Sequence, residues 1–298
     1  MYPVKYKLLL FKGMQKYTDL SKLSNTQFRR YTGVTRYIFD ISVLIVKEYE
    51  KLIKIKEGRP TNLSVEDQVL MLLEFYRENR TFFHLGISYG LSESNVYRTI
   101  IKIEKILIKS GYFRLDGKKA LLTDTKIKTI LIDATETPAQ RPKKKRRNKK
   151  SIKRSSKQKR KYSGKKKRHT HKIQLVIDAD TKQIICINFE KGSCHDFKLY
   201  KKSKLRIHPN IKQKLDSGYQ GAQKEHANTE KPIKSSKNHK LTKEEKRQNR
   251  KLSQKRVFIE HINAKCKVFN LLENKYRSHS RFGLRATLIA CFINANVA

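Results

Sequence analysis

The stretch Lys128-Thr129-Ile130-Leu131-Ile132-Asp133 reads as a short β-branched strand that closes on a carboxylate. Two more runs of this kind, 173–178 and 184–189, flank the turn-like Asp180-Thr181-Lys182. A weaker fourth run, 211–215, delivers a second acid in Leu215-Asp216-Ser217-Gly218-Tyr219. Between the third and fourth runs, His195-Asp196-Phe197 begins a helix with Asp196 as its cap. A helix over 253–269 closes the pattern. Strands followed by helix, strand and helix give a mixed α/β unit, and periodicity alone supports no finer assignment.

The last helix carries the third acid. At about 100° per residue, Phe258, Ile262, Cys266 and Phe269 fall on one side. Arg256, Glu260, Asn263 and Lys267 fall within roughly 60° of one another on the other. The first face is expected to pack and the second to present a carboxylate between cations. Each acid alone has an ordinary role: Asp133 as a strand-ending turn residue, Asp216 as a turn former before Gly218, Glu260 as part of a solvated stripe. Held together, the three carboxylates would bind magnesium, which on a DNA-binding scaffold means phosphodiester chemistry. Structural roles explain the competing acids: Asp178 and Asp180 fit a hairpin turn and Asp196 a helix cap. Glu136 is expected near the metal as an outer group without a ligand role.

These acids stand out because the chain is otherwise basic, with 70 Lys+Arg against 26 Asp+Glu in 298 residues and a net charge of +44. Such an excess points to a polyanion, and nucleic acid is the commonest one. No stretch approaches the roughly 20 apolar residues of a spanning helix. The run Leu8-Leu9-Leu10-Phe11 is too short for a signal-peptide core. The expected location is the cytoplasm, at the nucleoid. Cys186, Cys194, Cys266 and Cys291 show no paired spacing and read as reduced, mostly buried thiols. Residues 141–172 are about half lysine and arginine with no acid, a block that resists folding. It is either a DNA-backbone clamp or a low-complexity expansion.

The amino-terminal part reads as helical. Phe28, Tyr31, Val34, Ile38, Phe39, Leu44, Val46 and Leu52 recur near helical spacing. Gly58-Arg59-Pro60 follows as a linker, or as a minor-groove arginine insertion. Ser64 caps a helix with Val69, Leu72, Leu73 and Tyr76 on one side. A short helix, residues 81–89, stops at Gly90, and Ser92 caps a third with Val96, Ile100, Ile103 and Leu107 buried. Gly86, Gly90 and Val96 sit where a helix-turn-helix needs a close crossing, a left-handed turn and a core contact. The third helix then presents Ser94, Asn95 and Arg98 to the major groove. Asparagine pairs with adenine and arginine with guanine, so Asn95 and Arg98 are the expected base readers.

Several motifs together resemble the DDE transposases of the insertion sequence 5 family, related to the Harbinger-type nucleases. They are Ile132-Asp133-Ala134-Thr135-Glu136, the run from Tyr162 to His169, Gly192 to Phe197, Asp216-Ser217-Gly218-Tyr219-Gln220-Gly221, and Arg256-x3-Glu260-x6-Lys267. The family pattern places a tyrosine where this chain has Ser253. The resemblance implies an α/β ribonuclease-H-like catalytic domain preceded by an all-α helix-turn-helix region. The expected division is a helical segment at 1–57, a helix-turn-helix domain at 58–110 and a catalytic domain at 111–298. It also implies that Asp133, Asp216 and Glu260 hold two Mg²⁺, or Mn²⁺, and that Arg256 and Lys267 hold phosphates. Double-stranded DNA, both element ends and target, is the implied partner of a homo-oligomer. The rivals are a DNA-binding protein without catalysis, such as a decayed transposase, and a ribosome-associated basic protein.

Overall fold

Helix boundaries in the first third follow local signals. In the computed structural model, which describes residues 16–53, 63–123, 126–143, 157–235, 240–278 and 280–296, six helices come first. They are α1 (Lys16–Ser21), α2 (Asn25–Thr32), α3 (Arg36–Ile53), α4 (Val65–Glu78), α5 (Phe82–Tyr89) and α6 (Glu93–Lys109). The hydroxyls of Ser64, Thr81 and Ser92 each accept a hydrogen bond from the third backbone N–H of the helix they begin. Helix α4 is the hub, with every residue from Asp67 to Tyr76 buried. Leu44 and Leu52, expected in the core, are 57% and 75% exposed. They lie on the outer face of α3, where helical spacing admitted them but neighbouring helices did not reach. The linker Gly58-Arg59-Pro60 and the run Leu8-Leu9-Leu10-Phe11 lie outside the described residues.

Helices α5 and α6 form the helix-turn-helix. Gly90 takes a left-handed φ of 63°, and the Leu91 N–H donates to the Gly86 carbonyl at 2.9 Å. A Cβ at Gly86 would lie 2.6 Å from the Leu91 carbonyl oxygen, so the turn closes only over a glycine. Val96 is fully buried beneath it.

The rest of the chain builds β1 (Thr129–Pro138), α7 (Lys157–Lys161), β2 (Tyr162–Ser163), β3 (Arg168–Asp178) and β4 (Ile184–Lys191). It continues through α8 (Asp196–Ser203), β5 (Lys212–Lys214), α9 (Ala222–Glu225), β6 (Thr229–Glu230), α10 (Lys243–Lys267), α11 (Asn270–Glu273) and α12 (Phe282–Ala295). Strands β4, β3 and β1 pair antiparallel, and β5 and β6 continue parallel beyond β1. Together with the helix-turn-helix ahead of it, this mixed sheet is the ribonuclease-H-like architecture.

Three local expectations change. Strand β1 does not stop at Asp133 but runs on to Pro138, paired with β3 from Ile130 onward. The basic block is folded at 157–172, while 144–156 lie outside the described residues. Its last part folds as the start of β3, paired between β1 and β4, and the buried Lys172 there meets Glu136 at 3.6 Å and Asp196 at 2.8 Å. Asp196 therefore is not the cap of α8, a position held by His195. The Asp178 carboxylate does make the expected turn, accepting from the Asp180 N–H and the Thr181 hydroxyl. All four cysteines are free and buried.

One apolar cluster crosses from the helical part to the sheet. It takes in Tyr76 of α4, Ile103 and Leu107 of α6, Leu131 of β1 and Ile289 and Phe292 of α12. Against it sits Glu104, fully buried on α6, which accepts from Arg285 Nε at 2.6 Å, Arg281 Nε at 2.8 Å and the Tyr76 hydroxyl at 3.2 Å. Removing one partner of such a network strands the others in low dielectric. Glu104→Ala should lower unfolding free energy by about 3–5 kcal/mol in a denaturant titration, the range for broken buried pairs. A change below about 1 kcal/mol would place the network among surface ion pairs.

Candidate active site

Strand register brings two of the three acids together. Strands β1 and β5 pair in parallel with Leu131 opposite Lys214. Continuing two residues along each chain sets Asp133 against Asp216, the first in the middle of β1 and the second just past β5. Both point at α10. Arg256 places its guanidinium between them, with Nη2 3.8 Å from Asp133 Oδ1 and Nη1 3.4 Å from Asp216 Oδ1. About two turns further along, Asn263 Nδ2 donates to Asp133 Oδ2 at 3.0 Å. Asp216 is additionally fixed by its own loop, accepting from the Ser217 N–H at 2.6 Å.

Helix α10 is longer than expected, beginning at Lys243 behind a capping box of Thr242 and Glu245. Its buried face is Arg256, Ile259, Ile262, Asn263 and Cys266. Phe258, expected to pack, is 44% exposed and lies under Lys182, whose Nζ is 3.8 Å from the ring centroid. The face is rotated because the acids draw Arg256 and Asn263 inward. Glu260 lies about 40° round the helix from Arg256 by ordinary helical geometry, and it is exposed at the margin of that face. Among the described residues, no group of three or more His, Cys, Asp or Glu side chains stands ready to hold a metal ion. The structure thus joins Asp133 and Asp216 and leaves Glu260 beside them, turned to solvent.

The donors around this point suit a hard cation. The Asp133 and Asp216 carboxylates already share one positive group, Arg256. Asn263 Oδ1 is buried without a hydrogen-bond partner, a costly state that a cation or a donor would relieve. Oxygen donors of this kind are what Mg²⁺ and Mn²⁺ take. Burial pushes the Asp133 carboxyl up to about 6, with Arg256 opposing the shift and Asp216 and Asp196 adding to it. Asp196, which sequence patterning leaves as a cap, is therefore close enough to be felt at the site.

The expected DNA-contacting residues divide. Ser94, Asn95 and Arg98 are all exposed on one side of α6, and Arg98 Nη1 donates to Asn95 Oδ1 at 3.2 Å. Lys267 instead pairs with Glu273 at 2.8 Å, and Arg256 is engaged by the two aspartates. Asn263 and Lys172 were not singled out as site residues by sequence reasoning. Asn263 had a readable signal, an amide in the polar stripe of a helix next to an acid. Lys172 had none, being one lysine in a run of them.

The family model described as the transposase DDE domain matches residues 124–295, and that of the helix-turn-helix of DDE superfamily endonuclease matches 61–113. The chain is 45% identical over 285 residues to a probable transposase for insertion sequence element IS702 from Microchaete diplosiphon, covering 95% of this chain and 99% of that protein. It is 25% identical over 150 residues to a putative transposase for insertion sequence element IS112 from Streptomyces albus G, about half of each chain. No solved structure matches. The transposase DDE domain match spans the strands that carry Asp133 and Asp216 and the helix that carries Glu260, and with near full-length similarity to an insertion-sequence transposase it shows that this chain belongs to the DDE-superfamily transposases.

Proposed function

We propose that the chain binds the ends of a mobile DNA element through α6 and cleaves and joins strands at a site held by Asp133, Asp216 and Glu260. Mg²⁺ is the proposed ion, with Mn²⁺ able to replace it. The observation that carries this reading is the sharing of one cationic group by Asp133 and Asp216, next to an unpaired amide oxygen. Asp133, Asp216 and Glu260 would hold the divalent cation, which would supply Lewis-acid chemistry for in-line attack by water or a 3′-hydroxyl.

The residues have distinct tasks. Asp133 and Asp216 hold the cation from adjacent strands, and Glu260 supplies the third carboxylate from α10. Arg256, released from the aspartates, carries its charge to the scissile or a flanking phosphate, and Lys267 serves the same strand further along the helix. Ser94, Asn95 and Arg98 enter the major groove, and the remaining positive surface binds backbone. The substrates are the element ends and a target duplex, engaged by a homo-oligomer at the nucleoid. A second reading, end binding without cleavage, draws on the exposure of Glu260 on α10.

A supercoiled-plasmid nicking assay with Mg²⁺ separates the two. Asp133→Asn, Asp216→Asn and Glu260→Gln should each abolish nicking and leave end binding intact by gel shift. Loss of binding in all three would contradict this division of labour. Asn95→Ala or Arg98→Ala should weaken specific binding by about 1–3 kcal/mol and relax preference at one base pair. Equal weakening on every sequence would make them backbone contacts.

Proton and cation compete for Asp133. Its folded carboxyl, raised to about 6, is protonated below that pH and free above it. Cleavage at subsaturating Mg²⁺ should therefore rise with pH through 6 and drop roughly tenfold per unit below it, because the ligand must lose its proton to bind. A flat profile between pH 5 and 7 would show that Asp133 does not hold the cation.

A further inference from the structure

Two sequence motifs that the proposed chemistry leaves unused in part meet beside the candidate site. One runs from Gly192 to Phe197, the other from Asp216 to Gly221. They touch through glycines: a Cβ at Gly218 would lie 3.1 Å from Asp196 Oδ2, and one at Gly221 3.0 Å from the Phe197 ring. The first turn of α8 thus rests directly on the backbone of the loop that carries Asp216. Asp196 is held in turn from the sheet. Lys172 Nζ donates to Asp196 Oδ1 at 2.8 Å and to the Cys194 carbonyl at 2.7 Å, and stands 3.6 Å from Glu136. Glu136 is itself fixed by the Thr170 hydroxyl at 2.8 Å. A lysine with only 8% of its side chain exposed is in this way given a single direction, toward α8. On the far side of the loop, Gln174 of β3 donates to the buried Tyr219 hydroxyl at 3.4 Å.

We propose that Lys172 and Asp196 are a positioning pair for Asp216: braced between β3 and the Gly218 backbone, they set where loop 216–221 holds its carboxylate. The proposal rests on the reading of Asp133 and Asp216 as cation-holding acids. Small octahedral cations tolerate little displacement of an oxygen ligand, so a shift of a few tenths of an ångström costs affinity before it costs fold. A purely local role for Asp196, as an acid in the first turn of a helix, would stabilise α8 and leave the loop indifferent.

The test uses the full chain with Asp196→Asn and Gly218→Ala, beside Asp216→Asn and Leu199→Ala. Leu199 is buried on the same helix and serves as a stability control. Because Lys172→Met strips the charge from between two carboxylates and can unfold the chain, Asp196→Asn carries the argument. Three quantities are read: Mn²⁺ binding by electron paramagnetic resonance, amide hydrogen exchange of 216–221 in metal-free protein, and Tm. Asp196→Asn and Gly218→Ala should bind Mn²⁺ about tenfold more weakly, the usual effect of removing an outer partner. Their 216–221 amides should exchange faster, with a Tm loss no larger than that of Leu199→Ala, which keeps wild-type Mn²⁺ affinity. Wild-type affinity in Asp196→Asn, or equal weakening in Leu199→Ala, overturns the positioning role. If Asp216→Asn binds Mn²⁺ like the wild type, the site reading itself fails. If Asp216→Asn alone loses binding, only the positioning pair falls.

Discussion

The candidate site depends on the Arg256 guanidinium held between Asp133 and Asp216. Two aspartates at matched positions on neighbouring parallel strands repel, and Asp133 is largely withdrawn from water. Without a cation the pair would be among the least favourable features of the sheet. Arg256 supplies that charge from α10 and so docks the helix at a fixed rotation. The same docking buries Asn263 against Asp133 and leaves Glu260 at the solvent margin. Asp216 keeps 45% of its side chain exposed.

The second constraint is the union of the helical part with the sheet. The buried side of α6 shares a core with β1 and α12, and its Glu104 binds two arginines of the carboxy-terminal region. The exposed face of α6 that carries Asn95 and Arg98 and the acids of the sheet are therefore parts of one packed body.

Much of this was legible in the sequence. The helix-turn-helix was readable because each feature has a local cause: Ser92 caps, Gly90 turns, Gly86 admits a carbonyl. Strand positions for Asp133 and Asp216 followed from short β-branched runs, and the DDE motifs linked them to Glu260. What failed to show was long-range compensation. Residues 157–172 looked unable to fold because the strands that pair with β3, and the acids Glu136 and Asp196 that meet Lys172, lie outside the block. Asp196 looked like a cap because the lysine that claims it sits 24 residues earlier. The rotation of α10 was misjudged for the same reason, since Arg256 and Asn263 count as polar in any periodicity yet are buried by partners from two strands. The first half of α10, nearly all polar, has no apolar stripe to read, although its capping box was there.

The central claim is that the carboxylates of Asp133 and Asp216 share a divalent cation in place of Arg256. Anomalous diffraction from crystals of this chain soaked in Mn²⁺ tests it most directly. The expected result is a Mn²⁺ peak about 2 Å from an oxygen of each aspartate, with the Arg256 guanidinium moved out and Glu260 turned in. A peak elsewhere, or Arg256 still seated between the two aspartates at saturating Mn²⁺, would contradict it.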